Sequence, residues 1–199
     1  MHYWLEYLRE RIKWRLSKCF KTIIGRLRTP MDYVIMELKF KGYLAEDSEA
    51  LELFGMYGLW HTMYYLPDVK HVDFFDIQEY YIRCAKRNFK NYLDKVDLYC
   101  ADSIKYINET EKKYDMVVAD TPFGVDQFFD ENGLPTFFDS MLKVLKKRGI
   151  LIFNIHTSNV IRWDLIKEHL EKMTGERRII DIAVIPRNTT ASYIVLVIE

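Results

Sequence analysis

The chain lacks a net charge: its 29 Lys and Arg are matched by 29 Asp and Glu. A uniformly basic surface for nucleic acid is therefore excluded. Cysteine is scarce, with Cys19, Cys84 and Cys100 at wide spacing and no C-x-x-C pair. Neither a disulfide framework nor a zinc site is expected, and a reducing intracellular compartment is. No apolar run reaches the ~18 residues of a membrane span. The N-terminus is charged throughout and does not read as a signal peptide. A cytoplasmic location follows as the expectation. There is no low-complexity or repetitive segment. Instead, 49% hydrophobic and 29% charged residues over 199 positions describe one globular domain with a sizeable core. Aromatics are abundant, with 14 Tyr and 12 Phe, which suggests a pocket or contact surface as well as a core.

The neutral total hides an asymmetry. Residues 1–30 hold eight Lys and Arg against Glu6 and Glu10, a local charge of +6, so the remainder carries −6. Leu5, Leu8, Ile12, Leu16, Phe20, Ile23 and Leu27 recur at helical spacing, with Trp4, Tyr7 and Trp14 beside them. A basic amphipathic helix over 3–28 is expected, ending at Thr29-Pro30. Such a helix packs on its own domain or on a second subunit, giving a homodimer. Alternatively it lies on an anionic membrane surface, the inner face of a membrane, or follows nucleic-acid phosphates. A second helix, Met31–Lys41, completes an N-terminal segment 1–49.

From residue 50 to 199, short apolar runs alternate with amphipathic segments. Strands are expected at Ala50–Phe54, His71–Phe75, Val96–Cys100, Asp115–Ala119 and Ile150–Asn154. Helices are expected at Leu59–Tyr65, Glu79–Phe89, Ser103–Ile107, Phe137–Lys147 and Ile161–Met173. Arg178–Ile185 and Ser192–Ile198 follow without an intervening helix and should form an antiparallel hairpin. The whole predicts an α/β domain with a mainly parallel sheet and helices on both faces. In such sheets ligands bind beyond the carboxyl ends of the strands.

Those ends carry the chemistry-bearing residues. Glu52 precedes a turn containing Gly55 and Gly58. Asp76 ends the second strand, 24 residues beyond Glu52, where an acid can accept ribose hydroxyl hydrogens. Asp102-Ser103 follows the third strand; Asp76 and Asp102 also suit helix N-caps. Asp120-Thr121-Pro122-Phe123 follows the fourth, where Asp120 also reads as a turn residue. His156 follows the fifth, as a general base or an exposed loop histidine. His61 is expected in packing or at the surface. The loop 121–135, with Phe123, Phe128 and Phe129, and the following Phe137 and Phe138, is a lid or part of the core. Asp126, Asp130 and Glu131 read as a solvated loop face, and no metal site is expected. A nicotinamide dehydrogenase is disfavoured, because the first turn lacks G-x-G-x-x-G.

In their order and spacing these residues resemble class I S-adenosylmethionine-dependent methyltransferases, a Rossmann-like family, over Ala50–Glu199. E-L-F-G-M-Y-G resembles the D-L-F-A-G-S-G turn of some RNA guanine methyltransferases, and D-T-P-F resembles the D-P-P-[YF] motif of amino-methyltransferases. The resemblance implies S-adenosylmethionine as cofactor, with Glu52, Gly55 and Gly58 at the methionine end. Asp76 would then bind the ribose, Ile77 would lie against the adenine, and Asp102 with Ser103 would meet its amine. Asp120, Thr121, Pro122 and Phe123 would hold the methyl acceptor, an amine or a hydroxyl, with Asp120 or His156 as base for a hydroxyl. Met56 and Thr121 depart from the family pattern. That leaves a non-catalytic module, binding a partner or membrane through its basic helix, as the alternative.

Overall fold

The structure is a computed structural model describing residues 30–122, 128–130, 135–156, 168, 170–172, 175, 177–186 and 191–199. The basic helix 3–28, Phe123, Asp126, Glu131, most of the helix expected at Ile161–Met173 and the side chain of His156 lie outside what it describes.

The described elements run α1 (Pro30–Phe40), β1 (Glu49–Leu53), α2 (Thr62–Tyr65), a 3-10 turn (Leu66–Asp68), β2 (His71–Asp76), α3 (Glu79–Asn88), β3 (Val96–Cys100) and α4 (Ser103–Glu109). They continue with β4 (Tyr114–Ala119), α5 (Phe138–Val144), β5 (Leu145–His156), β6 (Ile179–Pro186) and β7 (Ala191–Ile198). The seven strands form one sheet in the order β3-β2-β1-β4-β5-β7-β6. β1 to β5 are parallel, and β7 is antiparallel to both β5 and β6. The expected terminal hairpin is therefore present.

The central strands are buried on both faces, as parallel strands covered by helices must be. Ala50, Leu51 and Leu53 of β1 and Met116, Val117 and Val118 of β4 are all buried. One core lies with α1, α2 and α3 and joins Met31, Val34, Leu38, Phe74, Ala85 and Phe89. The other lies with α4 and α5 and joins Leu51, Leu53, Tyr114, Phe138 and Phe153. α3 follows the sequence logic closely. Tyr81, Cys84 and Ala85 face inward, Glu79 opens the helix, and Lys86 and Arg87 close it, complementing its dipole.

Two expectations are corrected. The helix expected at Leu59–Tyr65 begins only at Thr62, because Leu59–His61 remain in the turn that carries the chain off β1. The helix expected to run to Lys147 stops at Val144, and β5 starts at once with Leu145 beside Tyr114. The Lys146-Lys147-Arg148 run has good helix propensity, but tertiary contacts override it. Lys146 pairs with Asp115 at 2.9 Å, and Arg148 takes a positive φ of 58°. Arg177 donates to the carbonyls of Leu142, Leu145 and Lys146, satisfying acceptors that the shortened helix leaves open.

An apolar groove of about 240 Å³ separates α1 from the hairpin, lined by Tyr33, Leu38, Ile182, Ile185 and Val195 among others. None of the strand-end residues singled out above lines it.

Candidate active site

The strand order reverses between β1 and β4, since β2 lies to one side of β1 and β5 to the other side of β4. The crevice at the carboxyl ends of the strands opens there. The turn after β1 is tight. Phe54, Met56 and Gly58 all have positive φ, at 57°, 48° and 69°. Two of these residues carry side chains that this conformation disfavours. Met56 is held in place by its amide, which donates to Asp76 Oδ2 at 3.0 Å. Gly55 and Gly58 are required for space. A Cβ at Gly55 would stand 2.2 Å from the Phe74 ring, and one at Gly58 would stand 2.0 Å from Phe89. Both glycines therefore serve the packing of the turn onto β2 and the end of α3.

Asp76 is buried at the end of β2. Its other oxygen accepts from the Gln78 amide at 2.8 Å. Burial pushes its carboxyl above the usual range, against the downward pull of its two backbone donors. Ile77, directly beside it, is 68% exposed, which is unusual for an isoleucine. Asp102 caps α4, its Oδ1 accepting from the amides of Ile104 and Lys105. Ser103 is buried behind it.

Asp120 and Thr121, after β4, are both buried. The Asn154 side chain clamps Thr121 from the neighbouring strand, accepting from its amide at 2.8 Å and donating to its carbonyl at 2.9 Å. That carbonyl is engaged in fixing the loop, which the sequence did not suggest. Thr121 Oγ1 is buried without a partner among the described residues.

The main surprise lies behind Asp120. Glu52 is 1% exposed. Its two oxygens accept from Tyr65 Oη and meet His61 Nδ1 at 3.1 Å. His61 is buried too, not at the surface. Its Nε2 lies 2.9 Å from Tyr193 Oη and 3.9 Å from Asp120 Oδ2. The Tyr193 ring meets the imidazole edge-on at 5.2 Å. Burial, then the charge of Glu52, raises the Tyr65 hydroxyl far above its ordinary pKa, so it stays a donor. Glu52 is thus held in a side-chain network with Tyr65 and His61.

The aromatic loop divides. Phe137 and Phe138 are core residues. Phe128 packs on Phe54 at 5.6 Å, which ties the loop to the first turn. Phe129 forms an isolated bridge with Pro135. His156 ends β5 opposite Ala191.

The sheet order and the strand-end acids define the class I S-adenosylmethionine-dependent methyltransferase fold. Solved structures agree. An rRNA methylase from Streptococcus thermophilus superposes with a TM-score of 0.61 at 14% identity, covering 86% of this chain and 98% of that one. An S-adenosylmethionine-dependent methyltransferase from Clostridium acetobutylicum gives 0.61 at 15% identity, covering 92% and 97%. An N-methyltransferase from Bradyrhizobium japonicum gives 0.59 at 16%, covering 83% and 93%. Within that fold, residues 55–198 match the family model of the spermine/spermidine synthase domain, and the chain belongs to that family. A curated relative, the polyamine aminopropyltransferase of Methanocaldococcus jannaschii, is 34% identical over 91 residues. The match covers 42% of this chain and 30% of the relative, so the chain spans under a third of that protein's length.

Proposed function

We propose that the chain is a transferase that takes an alkyl group from an adenosyl sulfonium and delivers it to an amine. The observation that carries this reading is the row of acids at the β2, β3 and β4 ends, beside the crevice where the strand order reverses. Asp76 is anchored to the first turn through Met56 and retains acceptor capacity for ribose hydroxyls. Exposed Ile77 offers an apolar face to a purine. Asp102 uses only one oxygen for its cap, and its second suits an exocyclic amine. Thr121 Oγ1 is a buried polar atom in want of a partner beside Asp120. These residues fit an adenosyl donor. Met56 does not destroy the turn, because Asp76 stabilises the conformation that glycine would adopt more cheaply. Phe123, Pro122 and His156 remain part of the proposal for the acceptor side.

The donor supplies an electrophilic carbon on a positively charged sulfur. The protein's part is alignment, exclusion of water and removal of a proton from the acceptor. Family membership supports an aminopropyl group, carried by decarboxylated S-adenosylmethionine. The fold neighbours support a methyl group, carried by S-adenosylmethionine itself. Among the described residues no helix is long and apolar enough to cross a membrane; a cytoplasmic site of action remains our expectation. The basic residues 1–30 are proposed to contact an anionic surface or a second subunit.

Calorimetric titration with both donors and with their thioether products tests this reading. Binding of one donor, weakened at least tenfold by Asp76→Ala in a folded variant, supports it and identifies the alkyl group. Absence of binding by either pair would transfer the assignment to a non-catalytic module acting through residues 1–30.

A further inference from the structure

Glu52, His61 and Asp120 come from three separate places: β1, the turn before α2, and the end of β4. The fold brings them into one buried line. Tyr65 Oη donates to one oxygen of Glu52, and His61 Nδ1 faces the other at 3.1 Å. A carboxylate only accepts, so the hydrogen of that contact belongs to Nδ1. The far nitrogen, Nε2, is then the ring's exchangeable position. It faces Tyr193 Oη at 2.9 Å and Asp120 Oδ2 at 3.9 Å. In a neutral ring Nε2 accepts from Tyr193. In a protonated ring it presents a hydrogen between Tyr193 and Asp120, while Glu52 stabilises the positive charge from behind.

We infer that Glu52, His61 and Asp120 form a single proton-carrying unit. In it, His61 is a positioning residue that orients Asp120 and takes over the proton Asp120 removes from the acceptor amine. The assignment rests on the proposed alkyl transfer. In that reaction the acceptor nitrogen uses its lone pair to form a new N–C bond. The C–S bond of the donor breaks, and its electrons remain on sulfur as a neutral thioether. The surplus proton on nitrogen passes to Asp120 and onward to His61 Nε2, which must close from the 3.9 Å of this structure to hydrogen-bond distance. Glu52 and Tyr65 hold Nδ1 fixed, as a buried acid fixes the imidazole of a hydrolytic triad. No atom is created or lost, and no further reactant is needed. Among the described residues, His61 meets Glu52 from β1, Asp120 after β4 and Tyr193 from β7, and Glu52 in turn meets Tyr65 from α2.

Two measurements test the unit, and the first needs no turnover. Ring resonances of His61 are followed through pH by NMR in the wild type and in Asp120→Asn. Removing the charge that faces Nε2 should change the ring resonances and their pH response. Resonances and a pH response like those of the wild type overturn the pairing, whatever the protein catalyses. The second compares kcat and KM in His61→Gln and in the milder Tyr193→Phe, with donor binding measured alongside. The unit requires kcat of His61→Gln to fall about 100-fold. Its acidic limb should also flatten, with donor affinity retained and the acceptor KM little changed. Tyr193→Phe should shift that limb while keeping most of kcat. Normal kcat and pH profile in a donor-binding His61→Gln overturn the relay. If the wild type binds donor yet alkylates no amine, the relay falls together with the amine reading, while the NMR result still decides the His61–Asp120 contact.

Discussion

Asp73 and Glu52 are both buried in side-chain networks, and they are partnered in opposite ways. Asp73 is the third residue of β2, paired with Leu51, one row before Glu52. Lys112 donates to it at 2.7 Å, Tyr114 donates to the same oxygen, and His71 lies 3.2 Å from the other. Burial pulls the Lys112 ammonium down, but Asp73, with Glu49 and Tyr106 adding to it, leaves it above its ordinary pKa. Tyr114 is raised by burial first and by Asp73 second. Every partner holds the charge of Asp73 where it is. Glu52 lies toward the carboxyl ends of the strands, and its partners are a tyrosine and an imidazole that leads on to Asp120. A permanently cationic partner makes Asp73 a fixture of the fold. In the proposed unit, a ring with a second exchangeable nitrogen makes Glu52 part of the chemistry.

That contrast can be broken by substitution. The largest expected effect is on stability at the fixed end. Asp73→Ala strands Lys112 and Tyr114 beside a buried gap and should cost about 3 kcal/mol in urea unfolding. The kcat of the surviving folded protein should be unaltered; a large loss of kcat would erase the distinction between the two centres. At the other end the pattern inverts. Glu52→Gln keeps an oxygen for His61 Nδ1 and gives Tyr65 a donor to accept from, so stability should fall by only about 1 kcal/mol. Turnover should fall about tenfold or more, because the imidazolium loses its counter-charge. Equal losses in stability and none in kcat would make Glu52 a second Asp73.

The smallest effect concerns Asp76, another buried carboxyl, with two backbone donors. Its folded pKa is raised, so its neutral form is favoured by folding. The charge therefore costs stability above the folded pKa. The cost fades as pH falls through that value toward the unfolded 3.8. Relative to Asp76→Asn, the wild type should gain unfolding free energy on acidification through that window. Donor affinity should decline over the same range, because the ribose contact needs the ionised form. A wild type that loses stability there relative to the variant would reverse the sign.

Much of this was legible in the sequence because it is local. The apolar runs marked the strands, and an acid at a strand end needs no distant partner to be recognised. Asp102 as a cap and the terminal hairpin follow from a few adjacent residues. What escaped depends on distance. His61 meets Tyr193 across 132 positions, and a histidine within the helix expected at Leu59–Tyr65 gives no sign of it. Nothing near Glu52 announced Tyr65 and His61 as its partners. The early end of α5 was hidden for the same reason. The sequence Lys146-Lys147-Arg148 favours helix, while the residues that settle the matter are Tyr114, Asp115 and Arg177 elsewhere in the chain. Met56 and Thr121 looked like departures from a motif; Asp76 and Asn154 compensate through contacts that only the fold creates.

The strand order also decides where the protein is open to its own kind. β6 lies at one margin of the sheet, and its sequence, IIDIAVIP, is almost wholly apolar. Such a margin is a template on which another chain can add a strand. Two features shorten it. Asp181 near its start is tied to Lys41 of α1 at 2.7 Å, and Pro186 at its end has no amide hydrogen to offer. The stretch between them, Ile182–Ile185, is four residues, too short for a stable added strand. Replacing Asp181 by an apolar residue would lengthen that stretch toward Ile179 and turn a protected margin into a seed for aggregation.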